Sequence, residues 1–215
     1  MEEFPAINPL NFFQLTADCR RLPKAASSIF QLTPKNHHVF LLPNTCGVTG
    51  SLHFADIAMG WDKEGIEVYV NVNKKFDKCS FPDISNGDAL ELFIDTRDVK
   101  SAGYATKFCH HFFVLPESVD GNQAGEITRF RGEDTHEICN PSDIKVKAHF
   151  LTNSYFLQIF IPAQCLHGYD PDQFNRMGFT YRVHRFGGSV QDFSVVSSDY
   201  AIEQQPALWS SLRLC

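Results

Sequence analysis

The 215-residue chain has no apolar run near the roughly 18 residues that a membrane helix needs. It also lacks a basic cluster: 19 Lys and Arg stand against 25 Asp and Glu, for a net charge of −6. Phosphate binding needs grouped cations, so a nucleic-acid partner is excluded, as is a helical membrane span. The first residues, Met-Glu-Glu-Phe-Pro, lack the positive charge of a signal peptide, which predicts a cytoplasmic protein. The seven cysteines are odd in number, widely spaced and without a C-x-x-C pair. That pattern fits reduced thiols better than a disulfide framework or a zinc site. Absent too are G-x-S-x-G, the P-loop, G-x-G-x-x-G and H-E-x-x-H, and with them any local signature of catalysis or of a nucleotide cofactor. The expectation is a protein that is not an enzyme and carries no cofactor.

What the chain does have is apolar mass. Hydrophobic residues make up 43% of it, and 20 Phe dominate the aromatics, enough for one full core. Turn residues recur about every ten positions between short alternating segments, the pattern of an all-β protein. In Ile66–Asn73 the residues Ile66, Val68, Val70 and Val72 face a core while Glu67, Tyr69, Asn71 and Asn73 face water. In the strand from Asp88 to Thr96, Leu90, Leu92 and Ile94 point inward, and Glu91, Phe93 and Asp95 share the other face. An Asn86-Gly87 pair before it suits a turn with positive φ.

Lys107–Leu115 is apolar on both faces and reads as a central strand. A strand over Ser51–Trp61 changes phase between Phe54 and Ile57, as a bulge would produce. Further strands are predicted at Ile144–Leu151, Tyr155–Ile161, Met177–Phe186, Asp192–Val196 and Trp209–Leu214, with one helical turn at Pro162–Leu166. The predicted fold is a jelly-roll-like β-sandwich of two antiparallel sheets over residues 37–215. Residues 1–36 form an N-terminal arm with one short helix near Phe12–Arg20.

The segment Asn86-Gly87-Asp88-Ala89-Leu90-Glu91-Leu92-Phe93-Ile94-Asp95 resembles the signature strand of the family 9 carbohydrate-binding modules, within the wider DOMON-like group of β-sandwiches. Gly65–Asn73, Phe156–Pro162 and Met177-Gly178-Phe179 with Leu212-Arg213-Leu214 resemble three further elements of that family in the same order. The resemblance implies a non-catalytic module for a glycan or sugar-like ligand, held between two Trp rings with charged groups on its hydroxyls. Ser85 stands where the first Trp is expected, Glu91 matches the motif glutamate, and His110, His111 or Phe112 falls where the family has arginine. Tyr200 is the nearest aromatic to the second Trp position. The resemblance names Glu91, His111 and Tyr200 as candidate ligand-binding residues, and Arg182 and His184 join them from the polar face that they share on one predicted strand. Loss of a stacking ring leaves a rival reading, a protein-interaction domain that kept the sandwich. A third, implied by the DOMON group, is a haem-binding domain.

Other groupings read as structure. Glu91 and Asp95 share one strand face, and Thr180, Arg182 and His184 share another, which makes a polar platform if the strands adjoin. In the pairs His37-His38 and His110-His111, neighbouring strand residues point to opposite faces, so at most one histidine of each can serve a site. Met59 and Met177 fit core strands, with neither placed opposite a histidine as a haem ligand. The loops Arg131–Glu137 and Asp95–Asp98 offer carboxylates but no calcium-loop spacing, and read as solvated turns. Trp61 and Trp209 read as packing.

Overall fold

The computed structural model describes residues 14–23, 29–195 and 200–215. Among them, the strands are β1 (Thr16–Arg21), β2 (Ala55–Asp62), β3 (Gly65–Val72), β4 (Ala89–Asp95), β5 (Cys109–Val119) and β6 (Asn122–Glu126), followed by β7 (Lys145–Phe150), β8 (Tyr155–Pro162), β9 (Arg176–His184), β10 (Val190–Asp192) and β11 (Ser210–Leu214). Their hydrogen bonds form one path, β6-β5-β4-β9-β11-β1-β2-β3-β8-β7, with β10 added beside β9. The protein is thus mostly β, as expected. The strand that joins the two flanks is β1, and it pairs in parallel with both β11 and β2. One core fills the space between the flanks: Leu90, Leu92 and Ile94 of β4 and Phe179 of β9 meet Val68 and Val70 of β3 and Leu157 and Ile159 of β8.

Several expectations are corrected. The helix placed near Phe12–Arg20 is a strand over Thr16–Arg21, and Phe12 and Phe13 lie outside the described residues. Ala17 and Cys19 are its buried positions, an alternation hidden among charged neighbours. No bulge interrupts β2: its register with β3 runs unbroken from Ala55 to Asp62, and Phe54 simply precedes the strand, its N–H donating to Gln191 Oε1. Gly87 is extended (φ −146°), and its need for glycine is steric, since a Cβ would come within 2.6 Å of Ser80 N. The ladder predicted over Asp192–Val196 is the short β10, and Val196 lies outside the described residues.

The outer face of β3 is wet at its end, where Asn71 and Asn73 reach solvent, but not along its length. Glu67 and Tyr69 are almost fully buried, because the segment from Gln31 to Phe40 lies across them. The Glu67 carboxylate accepts the N–H groups of Gln31 and Leu32, and His37 stacks on Tyr69 at 4.6 Å. Nor are all the cysteines thiols: Cys139 and Cys165 form a disulfide, with Cα atoms 4.9 Å apart. Twenty-six residues separate them, and only the docking of the loop before β7 onto the turn after β8 brings them together, so spacing could not reveal the pair. Burial pushes the thiols of Cys79 and Cys109 up to about 11, and that of Cys19 higher, which disfavours the nucleophilic thiolate at all three.

Candidate functional site

On the outer face of β4, Glu91 lies directly opposite Arg182 of β9, while Ala89 faces His184 and Phe93 faces His111 of β5. In an antiparallel sheet, opposite residues share a face and diagonal neighbours are within reach of long side chains. The two histidines therefore approach Glu91 from its two diagonals. His184 Nε2 lies 2.5 Å from Glu91 Oε1 and His111 Nε2 lies 2.6 Å from Oε2. Arg182 adds a guanidinium nitrogen 3.4 Å from Oε1 and pairs with Glu203 at 3.2 Å.

Phe93 is the floor of this arrangement. His111 stacks on its ring at 4.2 Å, Arg182 lies 5.5 Å over it, and buried Trp209 backs it from behind. Burial alone would push the Glu91 carboxyl up. Hydrogen bonds from His111 and His184, with the charges of His111 and Arg182, outweigh it and hold the group well below the usual carboxylate range. Glu91 is a fixed, charged acceptor.

A cavity of about 240 Å³ opens onto Glu91, His111 and Arg182. Asp83 and Ser85 border it from the loop before β4, and Ile127 and Arg129 from the chain after β6. That first loop is held by Asp88, fully buried, which accepts hydrogen bonds from Asp77 N, Phe186 N and Arg185. Three carboxylates (Asp83, Glu91, Glu203) and two guanidiniums (Arg129, Arg182) border the cavity, so its charge is nearly balanced.

Four of the five candidate residues thus converge: Glu91, His111, Arg182 and His184. Tyr200 does not join them. It packs on the cluster of Phe93, Ile202 and Trp209 and is not among the described residues lining the cavity. Trp209 Nε1 donates to the Ile202 carbonyl, which pins the turn from which Glu203 reaches Arg182. Asp95 also stays apart: its carboxylate accepts Arg97 N and Val99 N and closes its own turn. Thr180 donates to the Phe193 carbonyl. Arg129 and Glu203 carried no signal in the sequence, because they stand in segments without strand alternation.

His110, one residue before His111, serves the opposite face. With His136 it binds Glu126 of β6, the carboxylate oxygen Oε1 lying 2.9 Å from His110 Nδ1 and 2.7 Å from His136 Nε2. Oε2 accepts the N–H of Cys139. Burial pushes Glu126 up, but the bonds from His110, His136 and Thr128 bring it down to about 2. Met59 and Met177 are core residues, and Trp61 and Trp209 are buried, each indole N–H donating to a backbone carbonyl. No described helix is long and apolar enough to cross a membrane.

No protein-family model matches the sequence, and no curated protein matches it significantly. Solved structures do. A family 9 carbohydrate-binding module from Caldicellulosiruptor kristjanssonii in complex with cellotriose superposes with a TM-score of 0.62 at 13% identity, over 93% of each chain. A family 9 module from the same organism in complex with glucose gives 0.61 at 14% identity, over 94% of this chain and 95% of that one. A protein of Bacteroides uniformis gives 0.58 at 8% identity, over 94% and 98%. This chain has the fold of the family 9 carbohydrate-binding modules.

Proposed function

We propose that the protein is a non-catalytic carbohydrate-binding module whose ligand occupies the cavity at Glu91. The observation that carries this reading is the charged Glu91 carboxylate, fixed by His111, His184 and Arg182 at a solvent-reachable cavity of about 240 Å³. A carboxylate oxygen has lone pairs for more than one donor, and hydroxyl hydrogen bonds to an ionised acceptor are stronger than neutral ones. The balanced charge of the lining favours a neutral polyol. The volume lies below the about 300–1,000 Å³ of pockets for larger ligands, which favours a single sugar ring or a chain end.

No Phe, Tyr or Trp stands among the described residues lining the cavity, which on that lining forgoes the stacking that gives sugar sites much of their affinity. Ile84, Ile127 and Pro82 are the apolar surface it has. Affinity is accordingly weak, with Kd of about 1 mM, or about −4 kcal/mol. Catalysis is disfavoured because Glu91, held ionised, cannot serve as a general acid, and Asp95 is sequestered in its turn. The Cys139–Cys165 bond favours an oxidising compartment over the cytoplasm expected from the N-terminus.

The test is an NMR titration with glucose, cellotriose and a panel of other saccharides. Shifts confined to amides around Glu91, Ser85 and Arg129 and lost in Glu91→Ala support the reading. A flat response across the panel overturns it in favour of a protein-interaction domain.

A further inference from the structure

We propose that His110, Glu126 and His136 form a binding site for a divalent transition metal, zinc by preference, on the inner side of the β5–β6 edge. The three ligand atoms lie within 4.8 Å of one another, and the side chains of His110 and Glu126 are wholly buried. Two imidazoles and one carboxylate are a donor set that zinc favours, whereas calcium and magnesium take oxygen ligands in larger number.

The hydrogen-bond inventory points the same way. His136 Nδ1 lies 2.7 Å from the Lys107 carbonyl and Nε2 lies 2.7 Å from Glu126 Oε1, so both ring nitrogens face acceptors. A neutral imidazole has one proton to offer. With that proton donated to the Lys107 carbonyl, Nε2 and the carboxylate oxygen need a positive charge between them, either a second ring proton or a metal ion. Oε1 also receives Thr128 Oγ1 at 2.7 Å and His110 Nδ1 at 2.9 Å, three contacts for an atom with two lone pairs. Ligands on one tetrahedral zinc lie about 3.3 Å apart, given bond lengths of about 2.0–2.1 Å. To admit the ion, the His–Glu contacts open by about half an ångström while the widest-spaced ligand atoms, now up to 4.8 Å apart, draw together.

The surroundings resemble those that orient metal ligands. His136 is aimed by a backbone carbonyl, and Glu126 Oε2 is fixed by Cys139 N at 2.9 Å. His110 Nε2 is buried without a hydrogen-bond partner among the described residues, and the His167 carbonyl is near the ring. If Nδ1 ligates the metal, the His110 proton moves to Nε2 and can be given to that carbonyl. The Glu91 cluster has the same residue types and lacks this geometry. Its histidines hold opposite carboxylate oxygens, and Arg182 brings a positive charge that repels a cation.

The experiment uses the tag-free full chain, loaded with zinc or cobalt and passed through gel filtration. About one equivalent of zinc is expected to remain bound, and to be lost in His136→Ala. Cobalt in the same site should give the visible absorption of tetrahedral coordination, and zinc, which is diamagnetic, should shift the ring signals of His110 and His136 in the unmodified protein far more than those of His111 and His184. Less than about a tenth of an equivalent retained by the folded protein overturns the proposal, as does equal retention by His136→Ala. Should that variant fail to fold, the zinc-dependent shifts of the histidine rings decide: larger shifts at His111 and His184 than at His110 and His136 overturn it.

Discussion

Two carboxylates of this protein are each gripped by a pair of histidines, and they differ in what else reaches them. Glu91 lies on the outer face of β4, shares its charge with Arg182, and meets an open cavity. Glu126 lies on the core side of β6, with side chains exposed by 2% or less around it, and every oxygen contact comes from the protein itself. The two clusters are joined through one dipeptide, His110-His111, because consecutive strand residues point to opposite faces. Identical side-chain chemistry therefore yields a presented acceptor on one face and a closed knot on the other. Solvent access and the Arg182 guanidinium separate them, not the His–Glu–His set itself.

The comparison is broken most directly by removing each carboxylate in turn. Glu126→Ala leaves His110 and His136 buried without their acceptor and is expected to cost about 3–5 kcal/mol of stability in urea unfolding. Glu91→Ala should cost clearly less, about 1–3 kcal/mol, because Arg182 keeps Glu203 and water can enter the cavity. An equal or reversed order would show that the outer cluster is structural.

Cys139 binds Glu126 through its N–H, so the disulfide braces the closed cluster only. Replacing Cys139 and Cys165 with serine together should cost about 3 kcal/mol by loop-closure entropy and broaden the His136 ring signals while leaving His184 unchanged. If both rings respond alike in NMR spectra, the two clusters are coupled rather than independent.

A pH series sharpens the contrast further. The folded pKa of Glu91 lies below its ordinary 4.5, so its contribution is complete above about pH 4.5 and is lost as pH falls beneath it. Against Glu91→Gln, the wild type should hold an advantage of about 1–3 kcal/mol at pH 7 that shrinks by pH 3. An advantage unchanged at pH 3 would mean the carboxylate charge is not what the histidines bind. The smallest effect expected is ligand stabilisation. Saccharide at about ten times a millimolar Kd adds only about 1.4 kcal/mol, read as a small rise in Tm that Glu91→Ala removes and Glu126→Gln retains.

The sequence by itself determined the strands whose alternation is uninterrupted. The buried phase of Val68 and Val70, the inward set Leu90, Leu92 and Ile94, and the outward Glu91 all follow from a period of two. It also determined that His110 and His111 must part company. The tertiary structure alone decided the rest. Short β1 and polar β6 carry too little apolar alternation to stand out, and each is a strand because a partner distant in sequence or a neighbouring edge completes its ladder. The wet face assigned to Glu67 and Tyr69 is covered by a segment some thirty residues away. The Arg182–Glu203 pair, the Cys139–Cys165 bond and the Glu126 cluster all join residues from separate loops and strands. Local periodicity reports which side of a strand a residue occupies. What stands across from it depends on long-range packing, and that is where the chemistry of both clusters was set.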